Sequence, residues 1–210
     1  MAPCDHHHKA KSPTAHLREE HDVILRVLAL LEQLGQELEA GKEVDHFTMA
    51  WLEDFLSTFV DRCHHGKEER YLFPMLERYG IPREGGPLGV MLHEHDQGRA
   101  LLRAMGLKSE GKKEETVNAI RDYVALLRAH IDKENNVLFR LAEQVLPDSV
   151  QKELTQSFEL SEETDVGLGV HQRFLSELAR LEASCCPSLE HHRTPLKASC
   201  PASVFVPHLM

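Results

Sequence analysis

The sequence predicts an all-α protein, with an up-down-up-down four-helix bundle followed by a C-terminal helical extension. In four long segments the apolar residues recur every three or four positions, as they do on one face of an amphipathic helix. The segments between them are short, and no stretch alternates apolar and polar residues as a half-buried strand does. With 210 residues, 41% of them hydrophobic, the chain is long enough to bury a substantial core.

The first two helices are predicted from the stretches that begin near His16 and Asp45. The first has an apolar face made by Leu17, Ile24, Leu28, Leu31 and Leu38. Gly41 is expected to end it. The second continues through Met49, Leu52, Leu56, Phe59 and Val60 to about Tyr79. Pro74 is expected to kink this helix, since proline removes one helical hydrogen bond.

The third helix is predicted over about 87–107 and the fourth over about 114–146, where Pro147 ends it. The remaining periodic stretch reads as one helix broken at Gly167 and Gly169. We therefore divide the chain into a disordered lead-in (1–14), the bundle (15–147), a C-terminal helical extension (148–184) and a flexible tail (185–210).

Charge and composition exclude several classes of protein. Lys and Arg number 24 against 34 Asp and Glu, so the net charge of −10 argues against nucleic-acid or anionic-membrane binding. No apolar run approaches the ~20 residues of a membrane span, and the polar start is unlike a signal peptide, which predicts a cytoplasmic protein. The five cysteines form no CxxC pair and are interpreted as reduced thiols. The fifteen histidines are the unusual feature of the composition.

A repeat inside the predicted bundle selects a subset of these histidines. "EEHDVILRVL" (19–28) matches "HEHDQGRALL" (93–102), which aligns His21 with His95. "HHGKEERYLF" (64–73) matches "HIDKENNVLF" (130–139), which aligns two H-x-x-x-E pairs. Each half of the bundle therefore has one histidine on its first helix and H-x-x-x-E on its second.

These repeated residues predict a dimetal site in the bundle core. A spacing of four places two side chains on the same face of a helix, so the histidine and glutamate of each pair can converge on one ion. Burying them without cations would cost several kcal/mol per ion. Imidazoles and carboxylates suit two ions of intermediate softness, iron first with Mn or Zn possible, rather than Ca or Mg. The predicted metal ligands are His21, His64, Glu68, His95, His130 and Glu134.

Neighbouring residues leave two questions open. Glu20 and Glu94 precede the single histidines, and could be hydrogen-bond partners of the ligands, proton relays or solvated helix-face charges. His65 and Glu69 are expected to be displaced from the metal face by one residue. An exchange of roles with His64 and Glu68 is the nearest alternative.

At these six residues the chain resembles the hemerythrin-like, or HHE cation-binding, family over about 15–147. The resemblance implies a four-helix bundle with a non-haem di-iron centre, in which Glu68 and Glu134 bridge two Fe²⁺/Fe³⁺ ions, together with an oxo, hydroxo or water bridge. Oxygen-carrying hemerythrins have a further histidine where this chain has Met91. The set is therefore similar to the symmetric variety with four histidines and two glutamates.

The resemblance implies an interaction with O₂, NO or peroxide, in sensing, stress response or iron-centre repair. Two alternatives remain, an oxidase, peroxidase or NO-reducing enzyme and a structural bundle stabilised by metal. No catalytic residue and no protein partner is identified from the sequence.

Overall fold

The computed structural model describes residues 11–107, 113–167 and 169–185. These residues form helices and connecting turns without any strand, which confirms the all-α prediction. Most of the predicted lead-in, part of the connection before the fourth helix and the tail from Cys186 onward lie outside the described residues. None of the described helices is long and apolar enough to cross a bilayer.

Four helical segments make the bundle. Helix α1 is Pro13–Glu39 and helix α3 is Pro87–Met105. Helix α2 consists of His46–Asp54, the π-helical segments Phe55–His65 and Glu68–Leu72, and Phe73–Arg78. Helix α4 consists of Lys113–Lys133, the π-helical Glu134–Leu138 and Phe139–Val145. Pro74, predicted as a kink, lies just after the second π-helical segment of α2.

The C-terminal extension is helical, as predicted, and breaks at the predicted glycines. Helix α5 consists of Asp148–Ser161 and the π-helical Glu162–Val166, and helix α6 is Val170–Cys185. Gly167 and Gly169 between them have φ of 99° and 77°, a region that side-chain-bearing residues rarely adopt.

Helix α1 begins earlier than the predicted start of the bundle. The Ser12 hydroxyl accepts a hydrogen bond from the backbone N–H of Ala15 at 3.2 Å, and Pro13 occupies the first turn. A serine cap followed by proline is a favourable helix start, because it satisfies one free N–H and presets φ. Thr14 is therefore buried within the fold rather than part of a lead-in.

The core consists of two apolar clusters. The first includes Ile24, Phe59 and Leu127, and the second includes Leu17, Phe73 and Phe139. His21 lies on α1 between Leu17 and Ile24, so the predicted site is placed where the two clusters meet.

The extension adds one phenylalanine to each cluster. Phe158 of α5 is fully buried in the second, and Phe174 of α6 is 1% exposed in the first. Each such burial stabilises the fold by roughly 1.5–3 kcal/mol. The extension is therefore packed onto the bundle as part of its core.

Candidate metal centre

The fold brings all six predicted metal ligands together in the interior. Each of them is at most 1% exposed. Their ligand atoms form two overlapping groups, within each of which all the atoms lie no more than 4.8 Å apart. The first group contains His21 and His64, the second contains His95 and His130, and both contain Glu68 and Glu134.

The histidines form two pairs that point at each other. Nε2 of His21 is 2.9 Å from Nε2 of His64, and Nε2 of His95 is 3.1 Å from Nε2 of His130. Each ring therefore directs Nε2 to a shared point, where a cation fits between two lone pairs. One histidine of each pair is held by aromatic stacking. His21 stacks on Phe139 and His95 stacks on Phe73, at centroid distances of 5.4 and 5.9 Å.

Each glutamate faces both histidine pairs. Glu68 has one oxygen 3.8 Å from Nε2 of His64 and the other 3.5 Å from Nε2 of His95. Glu134 likewise lies 3.1 Å from Nε2 of His21 and 3.4 Å from Nε2 of His130. All four carboxylate oxygens are buried without a hydrogen-bond partner among the described residues. A buried carboxylate is stabilised by coordination to a metal, so this arrangement suits two bridged cations.

The Nδ1 atoms of the four histidines have partners of their own. Nδ1–H of His64 donates to Glu20 at 2.8 Å, and Nδ1–H of His130 donates to Glu94 at 2.9 Å. Glu20 and Glu94 are thus hydrogen-bond partners of the histidines, which answers the question the sequence left open.

The other two histidines are oriented by the residues that follow Glu68 and Glu134 in the chain. Nδ1–H of His95 donates to Glu69 at 2.7 Å, and Nδ1–H of His21 donates to the Asn135 side-chain oxygen at 3.0 Å. Such partners fix the tautomer of a metal-binding histidine and leave Nε2 free for the ion.

A lysine supports the carboxylate partner in each half. Lys67 donates to Glu20 and to Glu162 of α5, and Lys133 donates to Glu94. Sequence reasoning assigned no role to these lysines, although the repeat aligned them, and the contact with Glu162 had no signal in the sequence. Burial raises the pKa of Glu20, but hydrogen bonding to His64 and the charge of Lys67 outweigh it and hold that pKa at about 2.

Charge within the site favours ionised carboxylates. Burial raises the pKa of Glu134, yet the nearby His130 and His21 lower it to about 2. Burial lowers the pKa of His95, while contacts with Glu68 and Glu69 raise it to about 9. The positive charge of protonated His95 and the negative charge of ionised Glu134 thus stabilise each other. Divalent cations can replace those protons, and this donor set of imidazoles and carboxylates fits them.

One sequence expectation about the neighbours is wrong. His65 was expected to lie off the metal face, but it is 3% exposed and stacks on His95 with ring centroids 3.8 Å apart. Adjacent residues diverge by about 100° on an α-helix. The segment Phe55–His65 is π-helical, with more residues per turn, so His64 and His65 can both face inward. Glu69 also contributes, through its hydrogen bond to His95.

Comparisons with known proteins identify the family of the chain. Residues 12–142 match the family model described as the hemerythrin HHE cation binding domain. An iron-sulfur cluster repair protein, YtfE, of Edwardsiella ictaluri is 31% identical over 121 residues, which are 53% of this chain and 54% of that protein. The YtfE protein of Dickeya chrysanthemi is 35% identical over 85 residues, 36% of this chain and 38% of that protein.

An uncharacterized protein of Mycobacterium tuberculosis is 22% identical over 175 residues, 80% of this chain and 68% of that protein. The match spans about half the length of the Edwardsiella YtfE protein. No solved structure is a significant match. Because the family model covers more than half of the chain, from residue 12 to residue 142, this protein belongs to the hemerythrin HHE cation-binding domain family.

Proposed function

We propose that the bundle holds two iron ions, one between His21 and His64 and the other between His95 and His130, bridged by Glu68 and Glu134. The observation that carries this proposal is the position of the two glutamates. Each has one oxygen toward each histidine pair, and none of the four oxygens has another partner among the described residues.

We further propose that the centre interacts with O₂, NO or peroxide, in sensing, stress response or iron-centre repair. Iron with imidazole and carboxylate ligands supplies the redox chemistry for small diatomic molecules. The protein's own part is to orient the ligands through Glu20, Glu94, Glu69 and Asn135, and to surround them with apolar side chains that limit access of water. Iron-centre repair is the activity in the printed name of the YtfE relatives, of which the chain matches only part.

Metal content tests the ligand assignment. The wild type should bind two iron ions per chain, whereas Glu68→Gln and Glu134→Gln should each reduce this number, because an amide is a poor bridge. Glu153→Gln, at an exposed position of α5, is the matched control and should keep both ions. An unchanged iron content in both bridge variants would refute the assignment.

Spectra of the iron-loaded protein test the ligand class. Absorption is recorded under anaerobic conditions, in air and after addition of NO or peroxide. A change with one of these molecules, lost in Glu134→Gln, is the expected result. Rapid catalytic consumption of NO or peroxide would instead identify an enzyme. A colourless zinc-containing protein as isolated, inert to all three, would favour a structural metal.

A further inference from the structure

His65 is a buried histidine that is not among the six predicted metal ligands. We infer that His65 is a third nitrogen ligand of one metal, the ion held between His95 and His130. The inference rests on the proposed function, because it requires that these two histidines bind a metal.

The first observation is that His65 lacks any other polar partner. It is 3% exposed, and neither ring nitrogen has a hydrogen-bond partner among the described residues. The Asp61 carboxylate is 3.6 Å from Nδ1, which is too long for a hydrogen bond. Buried side-chain nitrogens are almost always paired, so two unpaired nitrogens on one ring need an explanation.

The second observation is the position of the ring. His65, His95 and His130 can each offer a ring nitrogen such that the three nitrogens lie within 4.8 Å of one another. Nitrogen ligands at about 2.1 Å from a metal are separated by about 3 to 4 Å, so the three nitrogens lie close to coordination distance. To bind, the His65 ring must turn out of its stack on His95, so that the metal lies in the plane of each ring. The ring is nearly parallel to His95, at 17°, and it meets His130 edge-on, at 79°.

The third observation comes from the other half of the bundle. The repeat aligns His65 with Ile131, which is also 3% exposed and belongs to the first apolar cluster. The same place in the fold therefore accepts a hydrocarbon side chain. An imidazole there would be unfavourable by comparison, since its nitrogens lose their water, unless a ligand engages it.

The consequence is a centre with unequal metals. Three imidazoles would hold the ion at His95, and two would hold the ion at His21. A fifth histidine is thus supplied by α2, although Met91 stands where oxygen-carrying hemerythrins have theirs. The symmetric four-histidine description from the sequence would then apply to only part of the centre.

The substitution His65→Ile tests the inference, because it copies the residue of the matching position. His93→Ala is the matched control, since His93 lies on α3 but is exposed. Anaerobic Fe(II) binding is measured by competition with a chromogenic chelator. We expect His65→Ile to weaken one of the two sites at least as much as the roughly 10–100-fold loss that follows removal of an outer hydrogen-bond partner. The other site should change less than about threefold, and His93→Ala should leave both unchanged.

A count of bound nitrogens in the wild type gives a second measurement. In zinc-loaded protein with ¹⁵N-labelled histidine, long-range ¹H–¹⁵N spectra separate metal-bound from free ring nitrogens. Five bound rings, one of them missing in His65→Ile, would support the inference. Four bound rings would overturn it even if the variant did not fold.

The outcomes separate this inference from the proposed function. Two Fe(II) ions in the wild type with unchanged affinities in a folded His65→Ile protein would overturn the role of His65 alone. A wild type that binds no iron and no zinc would overturn both.

Discussion

Lys67 and Lys133 occupy matching positions in the two halves of the bundle but differ in burial. Lys67 is fully buried between Glu20, 2% exposed, and Glu162, 27% exposed. Lys133 is 39% exposed and contacts Glu94, which is 11% exposed. The difference arises because α5 covers the Lys67 side, where it supplies Glu162. Substitution of each lysine by methionine therefore tests how much the covering extension matters to the centre.

The expected magnitudes differ by several kcal/mol. Lys67→Met leaves the Glu20 carboxylate buried without its cation, and removing one partner of a buried ion pair typically costs about 3–5 kcal/mol. Lys133→Met leaves Glu94 with access to water, and exposed pairs contribute about 0–1 kcal/mol. Because a domain is stable by about 5–15 kcal/mol, the Lys67 variant should still fold.

Urea denaturation followed by circular dichroism measures both variants at one metal concentration. In thermal melts the Lys67→Met protein should unfold roughly 6–20 °C lower than the wild type, at about 2–4 °C per kcal/mol for a chain of this size. The Lys133→Met protein should stay within a few degrees of the wild type. Equal losses in the two variants, within about 1 kcal/mol, would refute the argument from burial.

Three further predictions concern the extension and the metals. Phe158→Ala should lower the free energy of unfolding by about 3–5 kcal/mol, and the exposed Leu160→Ala by about 0.5 kcal/mol at most, in urea denaturation. The Glu162 carboxylate, 3.4 Å from Nε2 of His16, raises the pKa of that histidine above its ordinary value of about 6.5. A histidine whose pKa is raised in the folded state stabilises the fold when the pH is below its ordinary pKa. That stabilisation is lost as the pH rises through the folded-state pKa. The difference in stability between wild type and His16→Gln should therefore shrink from pH 6 to pH 9, and a constant difference would contradict this. Chelation of bound metal should lower the melting temperature, since ligand at 1,000 times its Kd contributes about 4 kcal/mol.

The six predicted ligands could be selected because their pattern occurs twice in the sequence. One H-x-x-x-E pair is weak, but its repeat behind a second histidine-bearing helix selected six residues that the fold brings together. Helix bounds were also predictable from local signals, as at Pro147 and the Gly167 break. Whether all six residues bind metal stays a prediction.

The supporting residues were harder to predict, for two physical reasons. The π-helical segments of α2 change the angle between neighbouring residues, so the α-helical period placed His65 on the wrong face. Glu162 reaches Lys67 from 95 residues away along the chain, and no local pattern reports such a contact.

The two halves of the bundle agree in their predicted ligands and differ in the residues around them. Where the first half has Glu69, the second has Asn135, and each accepts the Nδ1–H of a histidine from the other half. A carboxylate partner makes a ligand histidine more basic than an amide partner does. Glu69 acts on His95, and the proposed ligand His65 lies against the same ring.

The carboxylate of Glu69 and the added imidazole of His65 therefore both increase electron donation to the ion between His95 and His130. The position at His95 and His130 should bind its metal more tightly than the position at His21 and His64, because basicity and nitrogen count both favour it. In a substoichiometric Fe(II) titration the first equivalent should then occupy mainly the His95 position. Glu69→Asn, which copies the residue found at position 135, should bring the two affinities closer together. If a protein with both His65→Ile and Glu69→Asn still filled the His95 position first, these two residues would not be the cause of the difference in affinity.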